Sequence, residues 1–247
     1  MFSFNLYYFR FFTSVISVFC FFNIIYSYYF NLYLNINSYF ITLIISALPI
    51  LSYLVKKKEI SKINIYQKIL TVVFGYFFLP ILISLPYYLS IYDISFVEAY
   101  FESISGFTST GFTIFENLKH LDESIIIWRS SSQWIGGLYF LFSILLLIDI
   151  FDDNLKKTVT NYLSFNTTEI FKQSLKLFTF YLILTFVIFL ILNISQIRAF
   201  NSLNLAFTLI SSGGFLPSNN LSSILNNEIK QNVFSFCMLF SFFSLFL

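Results

Sequence analysis

Polar residues in this chain are gathered into short breaks between long apolar runs. Stretches of roughly 20 apolar residues, enough to cross a bilayer as a helix, fall at Phe11–Leu34, Ser38–Val55, Ile69–Ser90, Ser124–Ile150, Leu175–Ile194 and Asn232–Leu247. The last of these meets the C-terminus without a polar flank and reads as a truncated helix. Two shorter apolar segments, Ser95–Gly106 and Phe200–Ser212, lead into glycine-centred tetrapeptides, Ser109-Thr110-Gly111-Phe112 and Ser212-Gly213-Gly214-Phe215. Non-helical backbone at membrane depth leaves N–H and C=O groups without water, and is tolerated where it is buried in protein or lines an aqueous path. Both segments are therefore predicted to be re-entrant, a half-span helix followed by an extended loop.

The two loops belong to an internal repeat. Setting Gly111-Phe112 on Gly214-Phe215, an offset of 103 residues, brings Ile69–Ser90 opposite Leu175–Ile194 and Ser124–Ile150 opposite Asn232–Leu247. The half-span starts, Phe96-Val97 and Ala199-Phe200, coincide as well. The chain divides accordingly into residues 1–62, an N-terminal pair of membrane helices, and two repeats. The first, 63–158, carries its re-entrant loop at 95–115; the second, 159–247, carries its loop at 199–218. The predicted fold is an all-α integral membrane protein with two parallel span–pore helix–filter loop–span repeats. A short helix descending from one face, followed by a glycine-rich strand whose carbonyls face an axis, is the construction of a potassium-channel filter. Glycine suits it by reaching backbone angles closed to other residues.

Composition and charge agree with a membrane protein and orient it. The chain is 57% hydrophobic and 11% charged, with a mean hydropathy of +0.79, far from a soluble domain. Its 36 Phe and 17 Tyr accompany an abundance of Ile, Asn and Lys. All five have AT-rich codons, so nucleotide bias accounts for the aromatic excess better than a binding role does. With the N-terminus cytoplasmic, Arg10, Lys56, Lys57, Lys58, Lys62, Lys68, Lys156, Lys157, Lys172 and Lys176 face the cytoplasm, against Lys119, Arg129, Arg198 and Lys230 outside. That asymmetry satisfies the positive-inside bias and puts both glycine loops on the outer face. Asp93, Glu98, Glu102, Glu116, Asp122 and Glu123 lie there too; they form either an acidic mouth that concentrates cations or ordinary solvated loops. Cys20 and Cys237 sit within apolar runs and read as buried packing residues. The first apolar stretch is too long for a signal peptide and has no small-residue cleavage site.

Other residues admit two readings each. Arg129 either neutralises an acid such as Glu102 behind the filter or extends to the outer interface. Glu98 and Glu102, spaced i, i+4 on the half-span helix, either line a vestibule or cap and solvate its start. Asp152 and Asp153 beside Lys156 and Lys157 read as a solvated cytoplasmic turn rather than a docking site. A membrane-embedded hydrolase built on Ser105 and the single His120 is a remote alternative: His120 sits in a polar loop and no Gly-x-Ser-x-Gly elbow is present. A non-conducting accessory subunit is a further alternative. No metal-ligand spacing, phosphate-binding glycine motif or nucleic-acid patch occurs.

The stretch Phe101-Glu102-Ser103-Ile104-Ser105-Gly106-Phe107-Thr108-Ser109-Thr110-Gly111, followed by Trp128-Arg129-Ser130 and Gln133-Trp134-Ile135-Gly136-Gly137, resembles the first repeat of the TrkH/TrkG branch of the Trk/Ktr/HKT potassium transporters. The segment from Ala206 to Phe215 resembles the second-repeat loop of that branch, and the two leading spans match its extra N-terminal helix pair. The resemblance implies four repeats around one potassium path, of which this chain holds two, half of a pseudo-four-fold pore. It implies filter contacts from Ser109, Thr110, Gly111, Ser212, Gly213 and Gly214, with K+ held at Thr110, Gly111, Gly213 and Gly214. Glycine at the first filter position implies preference for potassium over sodium. The resemblance further implies potassium uptake with the ion as transported substrate, no cofactor and no enzymatic step. A homodimer in a bacterial inner membrane and a cytoplasmic nucleotide-binding regulatory subunit are also implied. The chain departs from the family at Leu138-Tyr139, where methionine and glycine are usual, and lacks the proline expected within Leu147–Ile150. With repeats three and four missing, it reads as a fragment of a longer transporter, as a half-protein that pairs with a second copy, or as a decayed, inactive product.

Overall fold

A computed structural model describes residues 6–55, 65–147 and 170–243, and these contain helices and loops without a strand. Helix α1, Leu6–Tyr29, turns through a short 3-10 segment at Tyr33–Asn35 into α2, Ile36–Val55. The first repeat comprises α3 (Ile65–Ser90), α4 (Phe96–Phe107) and α5 (Glu123–Leu147). The second comprises α6 (Ile170–Ile194), α7 (Ala199–Ser211), the single turn α8 (Leu221–Ile224) and α9 (Glu228–Phe243). Helices α1, α3, α5 and α6 contain stretches long and apolar enough to cross a membrane, and the chain is an all-helical, multi-pass membrane protein.

The half-spans begin at Phe96 and Ala199, where the repeat alignment puts them. The first span does not end where its apolar run does. It stops at Tyr29 rather than Leu34, because Asn31 takes a left-handed φ of 59°, a conformation asparagine tolerates better than most residues. Helix α3 starts at Ile65 and α6 at Ile170, ahead of the apolar runs, while α9 starts at Glu228 rather than Asn232. Asp152, Asp153, Lys156 and Lys157, expected in a cytoplasmic turn, lie outside the described residues, as do Lys56–Lys58 and Lys62. Cys20 and Cys237 are free and buried.

Helix α5 is the mast of the fold. Of its most apolar stretch 72% is buried, against 28% for α6 and 39% for α1 and α3. Its two tryptophans reach opposite neighbours: Trp128 Nε1 donates to the Ile83 carbonyl of α3 at 2.9 Å, and Trp134 Nε1 to Thr185 Oγ1 of α6 at 2.9 Å. Helix α3 contains Pro80 and Pro86, each of which removes one hydrogen bond to the carbonyl four residues before it. In the same turns the Ile83 and Phe77 carbonyls accept from outside the helix, from Trp128 and from the Tyr100 hydroxyl at 3.1 Å.

Small residues let α5 approach the re-entrant segments closely, as membrane interfaces require. A Cβ at Gly136 would lie 1.9 Å from the Phe107 carbonyl oxygen at the end of α4. That obstacle is backbone and cannot rotate away. Gly136→Ala is expected to cost at least about 3 kcal/mol, the upper end for overpacking, and to sharply reduce the yield of monodisperse protein on size-exclusion chromatography.

Polar clasps tie the leading helices to both repeats at the rim. Glu123 accepts from the Tyr26 hydroxyl of α1 and from Arg198 Nη2, at 2.5 and 2.7 Å, and Asp122 accepts from Asn35 Nδ2 at 2.7 Å. Two of the acids read as either an acidic mouth or solvated loop charges are thus engaged in holding the fold.

Candidate ion-pathway site

Each half-span helix runs into its loop through the same local chemistry. Helix α4 begins with a capping box: Ser95 accepts from the Glu98 amide, and the Glu98 carboxylate accepts from the Ser95 amide and hydroxyl at 2.8 and 2.7 Å. These bonds satisfy donors a helix start leaves free and hold the exposed Glu98 carboxyl below its usual range. Glu98 therefore belongs to the cap. Glu102, one turn on, is completely buried, so the two do not share a vestibule.

The loops then repeat each other's turns and a shared set of hydrogen bonds. Ser109 and Ser212 have φ of 55° and 53°, and Gly111 and Gly214 of 79° and 87°. The amides of Thr110 and Gly213 donate to the carbonyls of Ser105 and Thr208, at 3.0 and 2.9 Å. The hydroxyls of Ser105 and Thr208 donate to the carbonyls of Phe112 and Phe215, at 2.5 and 2.7 Å. Every one of these pairs is separated by the same 103-residue offset. Turning the peptides at 109 and 212 into the left-handed region ends each helix, and positive φ at the glycines turns the chain again just after it.

The two loops also meet. A Cβ at Gly111 would lie 2.6 Å from the Gly213 carbonyl oxygen and 3.5 Å from Gly214 Cα, whereas a Cβ at Gly214 would find nothing nearer than Gly111 Cα at 3.9 Å. Of the residues expected to line a filter, Gly111 thus stands beside Gly213 and Gly214. Thr110, Ser212 and Gly214 are exposed and Gly213 is buried.

Behind the first loop lies a buried ion pair. Arg129 Nε donates to Glu102 Oε1 at 2.8 Å, with the side chains 2% and 0% exposed. Arg129 therefore faces inward rather than toward the interface. The Thr113 hydroxyl donates to the carboxylate, 3.0 Å from each oxygen, and accepts from Arg129 Nη2 at 2.9 Å. Glu102 Oε2 also accepts the Ile114 amide at 3.0 Å. The guanidinium lies 4.4 Å from the Phe215 ring centroid of the second loop and 5.5 Å from that of Phe115, within cation–π range.

Three contributors were not singled out from the sequence. Thr113 carries the ion pair to the loop backbone, and Thr208 duplicates Ser105, which the 103-residue offset alone could have signalled. Gln133, one turn beyond Arg129, faces the second loop. The hydrolase reading finds no support here: the Ser105 hydroxyl is committed to the Phe112 carbonyl, and His120 is exposed in the 3-10 turn Leu118–His120. No group of three or more metal-ligating side chains occurs among the described residues.

No protein-family model matches the chain. An uncharacterized cation transporter of Methanocaldococcus jannaschii is 33% identical over 145 residues, 55% of this chain and 29% of that protein. The Trk system potassium uptake protein TrkI of Halomonas elongata is 40% identical over 55 residues, 22% of this chain and 11% of TrkI. The crystal structure of the potassium transporter TrkH from Vibrio parahaemolyticus superposes with a TM-score of 0.70 at 19% identity, covering 94% of this chain and 48% of the TrkH chain. The chain thus spans about half the length of that transporter.

Proposed function

This chain is a relative of the Trk potassium uptake proteins, and we propose from there that it supplies part of the wall of a potassium uptake path. It is a membrane transport protein rather than an enzyme. Potassium sheds water against the carbonyls of Ser109, Thr110, Gly111, Ser212, Gly213 and Gly214, with the closest contacts at Thr110, Gly111, Gly213 and Gly214. The observation that carries this reading is the residue-for-residue duplication of two left-handed glycine loops that meet side by side. Backbone carbonyls in such loops replace an ion's hydration shell, and no cofactor takes part. Inward flow is driven chiefly by the membrane potential, about 2.3 kcal/mol per charge per 100 mV.

Two loops supply two sides of an ion site, and the other sides come from further repeats of the same polypeptide or from a second copy of this chain. Assembly as a homodimer in a bacterial inner membrane, with the N-terminus cytoplasmic and a nucleotide-binding regulatory subunit on that side, belongs to the same proposal. Potassium uptake in a transport-deficient bacterial strain tests it. The chain is expressed alone and together with any continuation of its reading frame, each with and without Gly111→Asp. Rescue by either form, abolished by the substitution, supports the reading, and rescue by the short form alone supports the paired half-transporter. No rescue by either form, with the protein present in the membrane, overturns it in favour of a non-conducting accessory or inactive subunit.

A further inference from the structure

The two loops have the same backbone but are held by different means. Behind the first, Glu102 and Arg129 come from the loop's own repeat. At the positions 103 residues on stand Leu205 and Asn232, and in place of Ile114, whose amide Glu102 accepts, stands Pro217, which has no N–H to satisfy. A tether for the second loop comes instead from the first repeat. Gln133 of α5 is 0% exposed. Its Oε1 accepts the Phe215 amide at 3.2 Å and lies 3.0 Å from Thr208 Oγ1, whose proton also reaches the Phe215 carbonyl at 2.7 Å. One amide oxygen thereby engages both the helix that delivers the loop and the residue just after Gly213-Gly214. The same side chain fills the space behind Gly213, where a Cβ would lie 2.3 Å from its carboxamide carbon.

We propose that Gln133 is a positioning residue for the second loop, setting how far its carbonyls can close on an ion and hence the preference for potassium over the smaller sodium ion. This rests on the potassium-path reading above. A carbonyl cage discriminates through the number and field of its oxygens and through its freedom to shrink. A loop anchored at Phe215 from another repeat cannot follow a smaller ion inward on its own.

Gln133→Leu keeps the approximate volume and removes the acceptor, while Gln133→Glu keeps acceptor oxygens. Gln133 Nε2 has no hydrogen-bond partner among the described residues, so the glutamate variant forfeits no bond. Two readouts separate tether from transport. Hydrogen–deuterium exchange at the Phe215 amide, measured on purified protein without potassium, is expected to accelerate in Gln133→Leu and to stay slow in Gln133→Glu. The potassium-to-sodium uptake ratio is expected to fall about tenfold in Gln133→Leu, equivalent to about 1.4 kcal/mol, and to be retained in Gln133→Glu. Should Gln133→Leu fail to accumulate, Gln133→Met removes the same carbonyl acceptor on an unbranched side chain, and the exchange and the uptake ratio are read in that variant instead. Unchanged exchange at Phe215 in the leucine variant overturns the tether. Fast exchange with an unchanged uptake ratio overturns the selectivity role. Absence of potassium transport by the wild type, with exchange responding as expected, overturns the potassium reading and the selectivity role with it while leaving the tether standing.

Discussion

Arg129→Ala is expected to destabilise the protein by about 3–5 kcal/mol, the cost of leaving a buried charge without its partner. Glu102 would keep the Thr113 hydroxyl and the Ile114 amide but lose its counter-charge in a place water does not reach. Glu102→Gln should be damaging in the mirror sense, stranding the guanidinium. Arg129→Lys should recover little, because an ammonium cannot reproduce the fork that reaches both Glu102 Oε1 and Thr113 Oγ1. The second repeat suggests the remedy. Combining Glu102→Leu and Arg129→Leu with Ile114→Pro borrows Leu205 and Pro217, removing both charges and the amide that needed an acceptor. The triple variant should be more stable than either single one, as thermal unfolding in detergent would register. A triple variant no better than Arg129→Ala would mean that the guanidinium's contact with Phe215, not charge pairing, carries the stability.

The second large effect separates two glycines that look equivalent in sequence. Alanine at either Gly111 or Gly214 must adopt a left-handed φ of 79° or 87°, a strain of about 1–2 kcal/mol for an L-residue. Only at Gly111 does the new methyl also meet backbone, the Gly213 carbonyl oxygen at 2.6 Å. Gly111→Ala must therefore push aside the neighbouring loop at an atom assigned to the ion. It should abolish potassium uptake and lower the thermal midpoint clearly, while Gly214→Ala should retain measurable uptake. Equal loss in the two variants would mean that backbone conformation alone, not the approach of the loops, governs the site.

What could be read beforehand and what could not divides along physical lines. Apolar runs announce spans because the bilayer's thickness fixes their length, and the half-span starts at Phe96 and Ala199 follow from the repeat. Helix ends were less legible: apolar content continues through Phe30 and Leu34, yet a left-handed Asn31 closes α1 earlier. Ser95 and Glu98 carry a capping signature, but an acid near a glycine loop suggests a vestibule equally well until its hydrogen bonds are seen. The direction taken by Arg129 depended on whether Glu102 lay within reach, which spacing alone left open. Gln133 was the least visible, because its meaning resides in Thr208 and Phe215, far along the chain and in the other repeat.

Helix α5 presses against one half-span through Gly136 and secures the other's loop through Gln133, while Arg129 braces one loop and touches the ring of the next. The repeats are therefore not two modules joined by a linker. A chain cut after α5 would strand an amide oxygen and a guanidinium face shaped for a neighbour, and an isolated second repeat would lack the support of Phe215. A substitution on that one helical surface is felt twice, in loops separated by a hundred residues of sequence but by a single side chain in space. A shared keystone makes each loop part of the other's environment.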